Sequence, residues 1–317
     1  MNFQNLGKIE LYTFYLDVAF SSAKAKADST RAKHFKDKLT KSKVVETERI
    51  KAVTRSLIKQ LNRILKVFPF IDDLHPFYKE LVKCTIDYYA TKKSLGALKW
   101  VVNKVQVFSQ LTISKIQKTR DIKKINEYRR EFYGRVSSLF KQIKKDFLIL
   151  EEARKIMRLY PIIKTSLFTV VITGFPNIGK TTLLYKLTGS KPEINSYAFT
   201  TKSINIGYLQ ENNKKIQILD TPGTLNRFNK MNNIEKQAFL AMKYCAKLII
   251  YVFDLTEPYP LNKQVMLYEK IKKFDLPFIV YVSKTDILDI KKVEEFEKNY
   301  NAIKDIEEIK KSIFQFT

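Results

Sequence analysis

Residues 172–184 read ITGFPNIGKTTLL, and their types and spacing suit one chemistry, the holding of a polyphosphate. Gly174 and Gly179 leave the backbone free to wrap, so that the loop of Gly174, Phe175, Pro176, Asn177, Ile178 and Gly179 can present N–H groups to phosphate oxygens at the positive end of the next helix. Lys180 is placed to reach the β- and γ-phosphates, the Thr181 hydroxyl to ligate Mg²⁺, and Thr182 belongs to the same binding stretch. Two readings stay open at Asn177: it shapes the loop, or it ligates a monovalent cation, K⁺, beside the phosphates.

Three further segments complete this chemistry. In QILDTPGT, Asp220 ends an apolar run where a carboxylate can hold Mg²⁺, and the Gly223 N–H can sense a γ-phosphate. In YAFTTKSI, a threonine hydroxyl can close the Mg²⁺ shell, and of the two adjacent threonines Thr201 is assigned that role. In FIVYVSKTDIL, the Asp286 carboxylate can accept both N1–H and N2–H₂ of guanine, a donor pair that adenine lacks. The Lys284 stem can lie across the base. Ser283 offers one short hydroxyl to the other base edge, and a weakened contact there costs roughly 0.5–1.5 kcal/mol. For phosphoryl transfer the catalytic candidates are Lys180, Thr201 and Gly223; no general base is evident, so intrinsic turnover is expected to be slow.

These residues need elements to position them. LFTVVITG, SINIGYL, KKIQILD, KLIIYVFD and PFIVYVS are short apolar runs fit for buried strands, and helical segments separate several of them. The fold class expected is therefore an α/β P-loop domain, a mostly parallel sheet with helices on both faces, over residues 164–317. Residues 1–163 read as an all-α helical bundle. Apolar residues recur at three-to-four spacing in LYTFYLDVAFSSAKAKA and RSLIKQLNRILKVFPFI, and PFIDDLHPF should be a turn. A long helix is expected after it, with Gly96 as the candidate interruption, and another from Ile125 to the break at Pro161.

Charge divides the chain differently from chemistry. The formal net charge is +26 over 317 residues, and residues 1–164 hold 36 Lys and Arg against 16 Asp and Glu. The remainder holds 22 against 16, so a polyanion is the expected partner of the first part rather than of the whole. RAKHFKDKLTKSK and TRDIKKINEYRR concentrate the excess, with few aromatics, which suits phosphate contact better than base stacking. No apolar run approaches the roughly 20 residues of a membrane span. Cys84 and Cys245 form no disulfide or metal pattern, and both are expected as small buried hydrophobes. A reducing, cytoplasmic setting is expected. Oligomeric state is not legible.

With these residues quoted, the chain resembles the nucleolar GTP-binding protein 1 family of the Obg-like GTPases. MRLYPIIKTSLFTVVITGFPNIGKTTLL resembles its approach to the phosphate loop, and EINSYAFTTKSINIGYL its switch, although Ala198 replaces a proline. The stretch QILDTPGTLNRFNKMNNIEKQAFLAMKYCAKLIIYVFDLTE, with Asn233-Ile234-Glu235 and Gln237-Ala238, resembles the family's most distinctive segment. IELYTFYLDVAFSSAKAKA resembles the opening of its helical domain. The resemblance implies a GTPase acting in assembly of the large ribosomal subunit, binding GTP and GDP with Mg²⁺, its helical domain contacting ribosomal RNA. As in the archaeal members, one last helix is expected after the nucleotide motifs. Two departures stand out: Thr224 follows Gly223 where many switch GTPases have Gln, and no Ser-Ala-Lys-type loop supports the guanine, Asn301-Ala302 being a poor stand-in. The last strand is accordingly expected to be frayed or absent. An alternative is an RNA-binding assembly factor whose nucleotide site is only structural.

Overall fold

In the computed structural model, residues 3–189, 193–194, 204–211, 213–222 and 233–317 are described. The sequence starts in helices: α1 (Tyr12–Arg31), α2 (Lys38–Val67), α3 (Pro76–Thr85), α4 (Tyr88–Lys118), α5 (Ile122–Gln142) and α6 (Lys144–Met157). Three of them begin at an aspartate whose side chain accepts an otherwise unpaired N–H: Asp37 from Thr40, Asp87 from Ala90 and Asp121 from Lys123. Ala19, Ala23 and Ala27 line one face of α1 at four-residue spacing and are fully buried, so α2 can pack close. Facing residues of α2, Ile50, Val53, Leu57 and Leu61, are also fully buried. Each such aliphatic side chain contributes about 1.5–3 kcal/mol.

Two helix boundaries differ from expectation. The break before the long helix falls at Ile86–Asp87, where Asp87 supplies a cap, and Gly96 lies inside α4 without interrupting it. The helix expected to run to Pro161 divides at Ile143, whose ψ of 16° ends α5 and starts α6. No breaker residue announces that bend.

The chain forms two compact units. One holds Phe3–Phe70 and Ile86–Arg158; the other holds Ile71–Thr85 and Leu159–Thr317. Residues 71–85 lie in the range expected for the bundle, yet pack with the later unit. The reason is chemical: the buried Tyr78 hydroxyl donates to the Pro161 carbonyl at 2.9 Å and accepts from the Ile163 N–H at 2.9 Å. Cys84 of α3 is exposed, against expectation, while Cys245 is buried and its thiol is pushed up to about 12.

The second unit is built on a seven-stranded sheet. Its elements are β1 (Phe168–Thr173), α7 (Lys180–Thr188), β2 (Glu193–Ile194), β3 (Asn205–Glu211), β4 (Lys214–Asp220), α8 (Asn233–Cys245), β5 (Leu248–Asp254), α9 (Leu261–Lys272), β6 (Phe278–Ser283), α10 (Ile290–Tyr300), β7 (Ala302–Ile303) and α11 (Ile306–Gln315). The strand order is β2-β3-β4-β1-β5-β6-β7. β1 pairs in parallel with β4 and β5, and β6 with β5 and β7, whereas β3 runs antiparallel to β2 and β4. Every residue of β5 is buried, as continuous apolar strands covered on both faces require. The last strand is present, with only two residues, and two helices, α10 and α11, follow the nucleotide motifs where one was expected. Central β1 lies between neighbours reached on opposite sides, and the ends of β1, β4, β5 and β6 open on one edge, where such sheets bind ligands.

Candidate nucleotide site

The loop after β1 owes its shape to three residues with positive φ: Gly174 (140°), Asn177 (60°) and Gly179 (91°). At Gly174 a Cβ would stand 2.5 Å from Ile178 Cδ1 and 2.7 Å from the Val252 carbonyl oxygen, so only glycine fits. Asn177 is exposed in the left-handed region that asparagine tolerates, a geometry that gives it a shaping role. Phe175 and Ile178 point into the core, Phe175 packing on the Tyr259 ring at 4.8 Å between centroids. Pro176 is half-buried between them. The loop is thus anchored by its apolar members, and its backbone remains at the sheet edge.

Gly179 caps α7, which starts at Lys180 and carries Thr181 and Thr182 in its first turn. Lys180 is buried and its Nζ donates to the Phe175 carbonyl at 2.5 Å, folding the lysine back over the loop it serves. The Thr181 hydroxyl donates to Asp220 Oδ2 at 2.6 Å, and Asn205 Nδ2 donates to the same oxygen at 2.9 Å. Burial raises the Asp220 pKa, opposed by those two hydrogen bonds and by the Lys180 charge. A hydroxyl and a carboxylate side by side are the hard oxygen donors that suit Mg²⁺, which keeps several waters and shares phosphate oxygens. Two protein oxygens leave the rest of such an ion's shell to phosphate and water. Thr201 and Gly223 lie outside the described residues.

At the end of β6, Ser283 is buried and its hydroxyl donates to the Phe253 carbonyl at 3.1 Å. It sits against the phosphate loop, since a Cβ on Gly179 would lie 3.5 Å from Ser283 Cβ. Lys284 has a left-handed backbone, φ 53°, and its Nζ lies 2.6 Å from Asp254 Oδ2. Asp286 is exposed on the 3-10 turn Thr285–Ile287. Asp286 follows the end of β6 by three residues, and the Tyr281 pKa on that strand is raised first by burial and then by the Asp286 charge.

Sequence reasoning missed the support behind Lys284. Asp254 is fully buried at the end of β5, and its Oδ1 accepts from the Thr256 N–H and hydroxyl at 2.9 and 2.6 Å. Buried Gln264 accepts from the Asp254 N–H at 3.0 Å and donates to the carbonyls of Asp254 and Tyr259. An acid closing an otherwise apolar strand, KLIIYVFD, was the available signal.

The comparisons with known proteins follow this division. Residues 12–164 match the family described as NOG1 N-terminal helical domain, and residues 169–284 match the one described as 50S ribosome-binding GTPase. Uncharacterized protein MJ1408 of Methanocaldococcus jannaschii is 39% identical over 81% of this chain and 73% of its own. Nucleolar GTP-binding protein 1 of Drosophila melanogaster is 28% identical over 90% of this chain and 44% of its own. The chain belongs to the nucleolar GTP-binding protein 1 family. It spans less than half the length of the Drosophila member. It carries the family's helical domain followed by a P-loop GTPase domain with a mostly parallel sheet. A solved structure, Aquifex aeolicus Era bound to GDP·AlF4⁻, aligns over 47% of this chain and 56% of that chain at 26% identity and a TM-score of 0.39. Among the described residues no helix is long and apolar enough to cross a membrane.

Proposed function

We propose that this protein is a GTP-binding switch with slow hydrolysis that acts, in the cytoplasm, in assembly of the large ribosomal subunit, its helical unit contacting ribosomal RNA. The observation that carries the nucleotide half is the hydrogen-bonded Thr181–Asp220 pair beside the Lys180 loop, with Ser283, Lys284 and Asp286 further along the same edge. A Mg²⁺ held by Thr181, Asp220 and the assigned Thr201 would neutralise charge on the phosphates. Lys180 would exchange the Phe175 carbonyl for phosphate oxygens, the loop amides would hold the γ-phosphate, and Gly223 would report its presence. Asp286 would select guanine, and Asp254 would keep the Lys284 stem extended beneath the base. The excess of positive charge in residues 1–164 supports the RNA half.

Titrating the purified protein with GTP, GDP and ATP tests the reading. Tight, Mg²⁺-dependent GTP and GDP binding with weak ATP binding is expected. Equal binding of ATP would remove the role of Asp286, and no nucleotide binding would favour the structural-site alternative. For Asn177 as a K⁺ ligand, GTPase rates in KCl and NaCl at matched ionic strength decide. Equal rates would leave the asparagine its shaping role alone.

A further inference from the structure

The two basic segments of the helical unit are far apart in sequence, yet the fold brings them to one place. The turn between α1 and α2 and the turn between α4 and α5 lie at the same end of the bundle. Lys43 Nζ donates to the Gln117 carbonyl at 2.7 Å, and Gln117 Nε2 donates to Thr47 Oγ1 at 3.2 Å. Residues 31–49 and 115–130 together hold fourteen Lys and Arg against five Asp and Glu. Three of those acids are already engaged: Asp37 and Asp121 cap helices, and Glu48 pairs with Lys51 and Arg55. Lys36, Lys41, Arg120, Lys123 and Arg130 are exposed and make no ion pair among the described residues.

At the centre stands Glu46, whose side chain is only 5% exposed. Three arginines from three helices surround it: Arg49 at 3.4 Å, Arg129 at 3.7 Å and Arg31 at 3.9 Å. One carboxylate cannot saturate three guanidiniums, which carry five N–H donors each. The buried Glu46 Oε2 and Arg49 Nε make no hydrogen bond at all. Arg31 also donates from Nη1 to Asp28 Oδ1 at 2.9 Å, yet Arg31 and Arg129 keep 48% and 22% of their side chains open to solvent, and their remaining N–H groups can serve another acceptor. A carboxylate that gathers three fork-shaped donors without consuming them holds a cradle for a second anion.

We infer that this end of the bundle is a single phosphate-binding surface for folded RNA, with Arg31 and Arg129, set by Glu46, taking one phosphodiester and the lysines of both turns taking its neighbours. The inference rests on the proposed RNA contact and locates it. The surface holds few aromatic rings, and Tyr128 is covered by Lys115 at 5.4 Å. Contact is therefore to the backbone of a structured RNA, read by shape rather than by stacked bases.

The test uses the full chain and a labelled RNA duplex of about 20 base pairs, long enough to span the roughly 16 that shape-reading domains cover, over a salt series. Three charge-reversed variants are compared: Lys36→Glu with Lys41→Glu, Lys123→Glu with Arg130→Glu, and a control, Lys144→Glu with Lys145→Glu. The control pair lies beyond the other end of α5, a 21-residue helix about 30 Å long. Each pair at the proposed surface should weaken binding about tenfold near physiological salt and flatten the log–log salt slope by about one for every phosphate no longer neutralised. GTP affinity should not change in any variant. An equal loss from the control pair would overturn the location while leaving RNA binding in place. No duplex binding by the unaltered chain would instead remove the RNA contact itself. Unchanged duplex binding with lost binding to phosphatidylserine vesicles would mean a membrane surface and overturn the inference. Glu46→Gln removes one negative charge, so charge alone predicts tighter binding. If Glu46 positions the arginines, binding weakens; tightening would overturn that role.

Discussion

The proposed function has the two units meet an anion in opposite ways. In the GTPase unit the proposed binding groups are backbone amides and side chains set at the strand ends, and a glycine is forced at one position by backbone 2.7 Å from where its Cβ would stand. Affinity there depends on geometry fixed before the ligand arrives. In the helical unit the proposed binding groups are exposed lysines and arginines, gathered around the buried Glu46. Affinity there depends on charge density and falls with salt. On this proposal one site tells guanine from adenine, and the other takes a shape made of phosphates. Substitutions should therefore act differently in each: geometry is lost all at once, charge in increments.

Gly174→Ala should give the largest effect. The new Cβ meets Ile178 and the Val252 carbonyl, at a φ of 140° that alanine rarely adopts. A loss of about 3 kcal/mol or more is expected in the GTPase unit, with nucleotide binding abolished. Thermal unfolding followed by calorimetry should show that unit's transition lowered and the helical unit's unchanged. A matching drop in both transitions would break the division into two units.

Asp286→Asn comes next. The amide loses the acceptor for guanine N2–H₂ and gains a donor that suits the C2 carbonyl of xanthine. About 2–3 kcal/mol of preference, roughly 30- to 150-fold, should move from GTP to the xanthosine nucleotide. Competition titration measures it, and unchanged guanine preference would sink the assignment. RNA affinity should stay where it was, because the charge that governs it lies in the other unit.

Legibility followed the same divide. Gly174, Lys180, Asp220 and Asp286 could be singled out as candidates because strand-end chemistry packs several required residue types into a few consecutive positions. The sheet was legible for a related reason: strands buried on both faces are continuous apolar runs, as in LIIYVFD. Asp254 was not assigned, since its value depends on Lys284, far along the chain at the end of the neighbouring strand. Glu46 was invisible for a stronger version of that reason, its partners being spread over three helices. The bend at Ile143 was missed because neither glycine nor proline marks it, and packing decides it. Residues 71–85 read as bundle because helical periodicity says which face is buried but not against what.

Tyr78→Phe tests that last point with a moderate effect. The hydroxyl is buried and ties α3 to the Pro161 carbonyl and the Ile163 N–H ahead of β1. Its removal takes a hydrogen bond from each of these buried groups and leaves them only their mutual contact at 3.1 Å, at a cost of about 1–2 kcal/mol. The loss should appear in the GTPase unit's unfolding transition, although Tyr78 lies far from the rest of that unit in sequence. A loss confined to the helical unit's transition would return α3 to the bundle.

Ser283→Asn should have the smallest effect, because two contributions oppose. An asparagine carboxamide at the end of β6 could reach the base edge that a serine hydroxyl cannot, a gain of roughly 0.5–1.5 kcal/mol. However, the Ser283 hydroxyl already bonds the Phe253 carbonyl, and the residue is 3% exposed against the phosphate loop. The larger side chain gives up that bond and must fit beside Gly179, where a Cβ would already be at van der Waals distance. GTP should therefore bind about threefold tighter, well short of the roughly tenfold that an unopposed hydrogen bond allows. Isothermal titration of both proteins with GTP and ATP measures the change. A gain for GTP alone would mean that the serine is a weakened base contact. Weaker binding of both nucleotides would mean instead that Ser283 is there to let the loop and the strand end approach, a role of shape like that of Gly174.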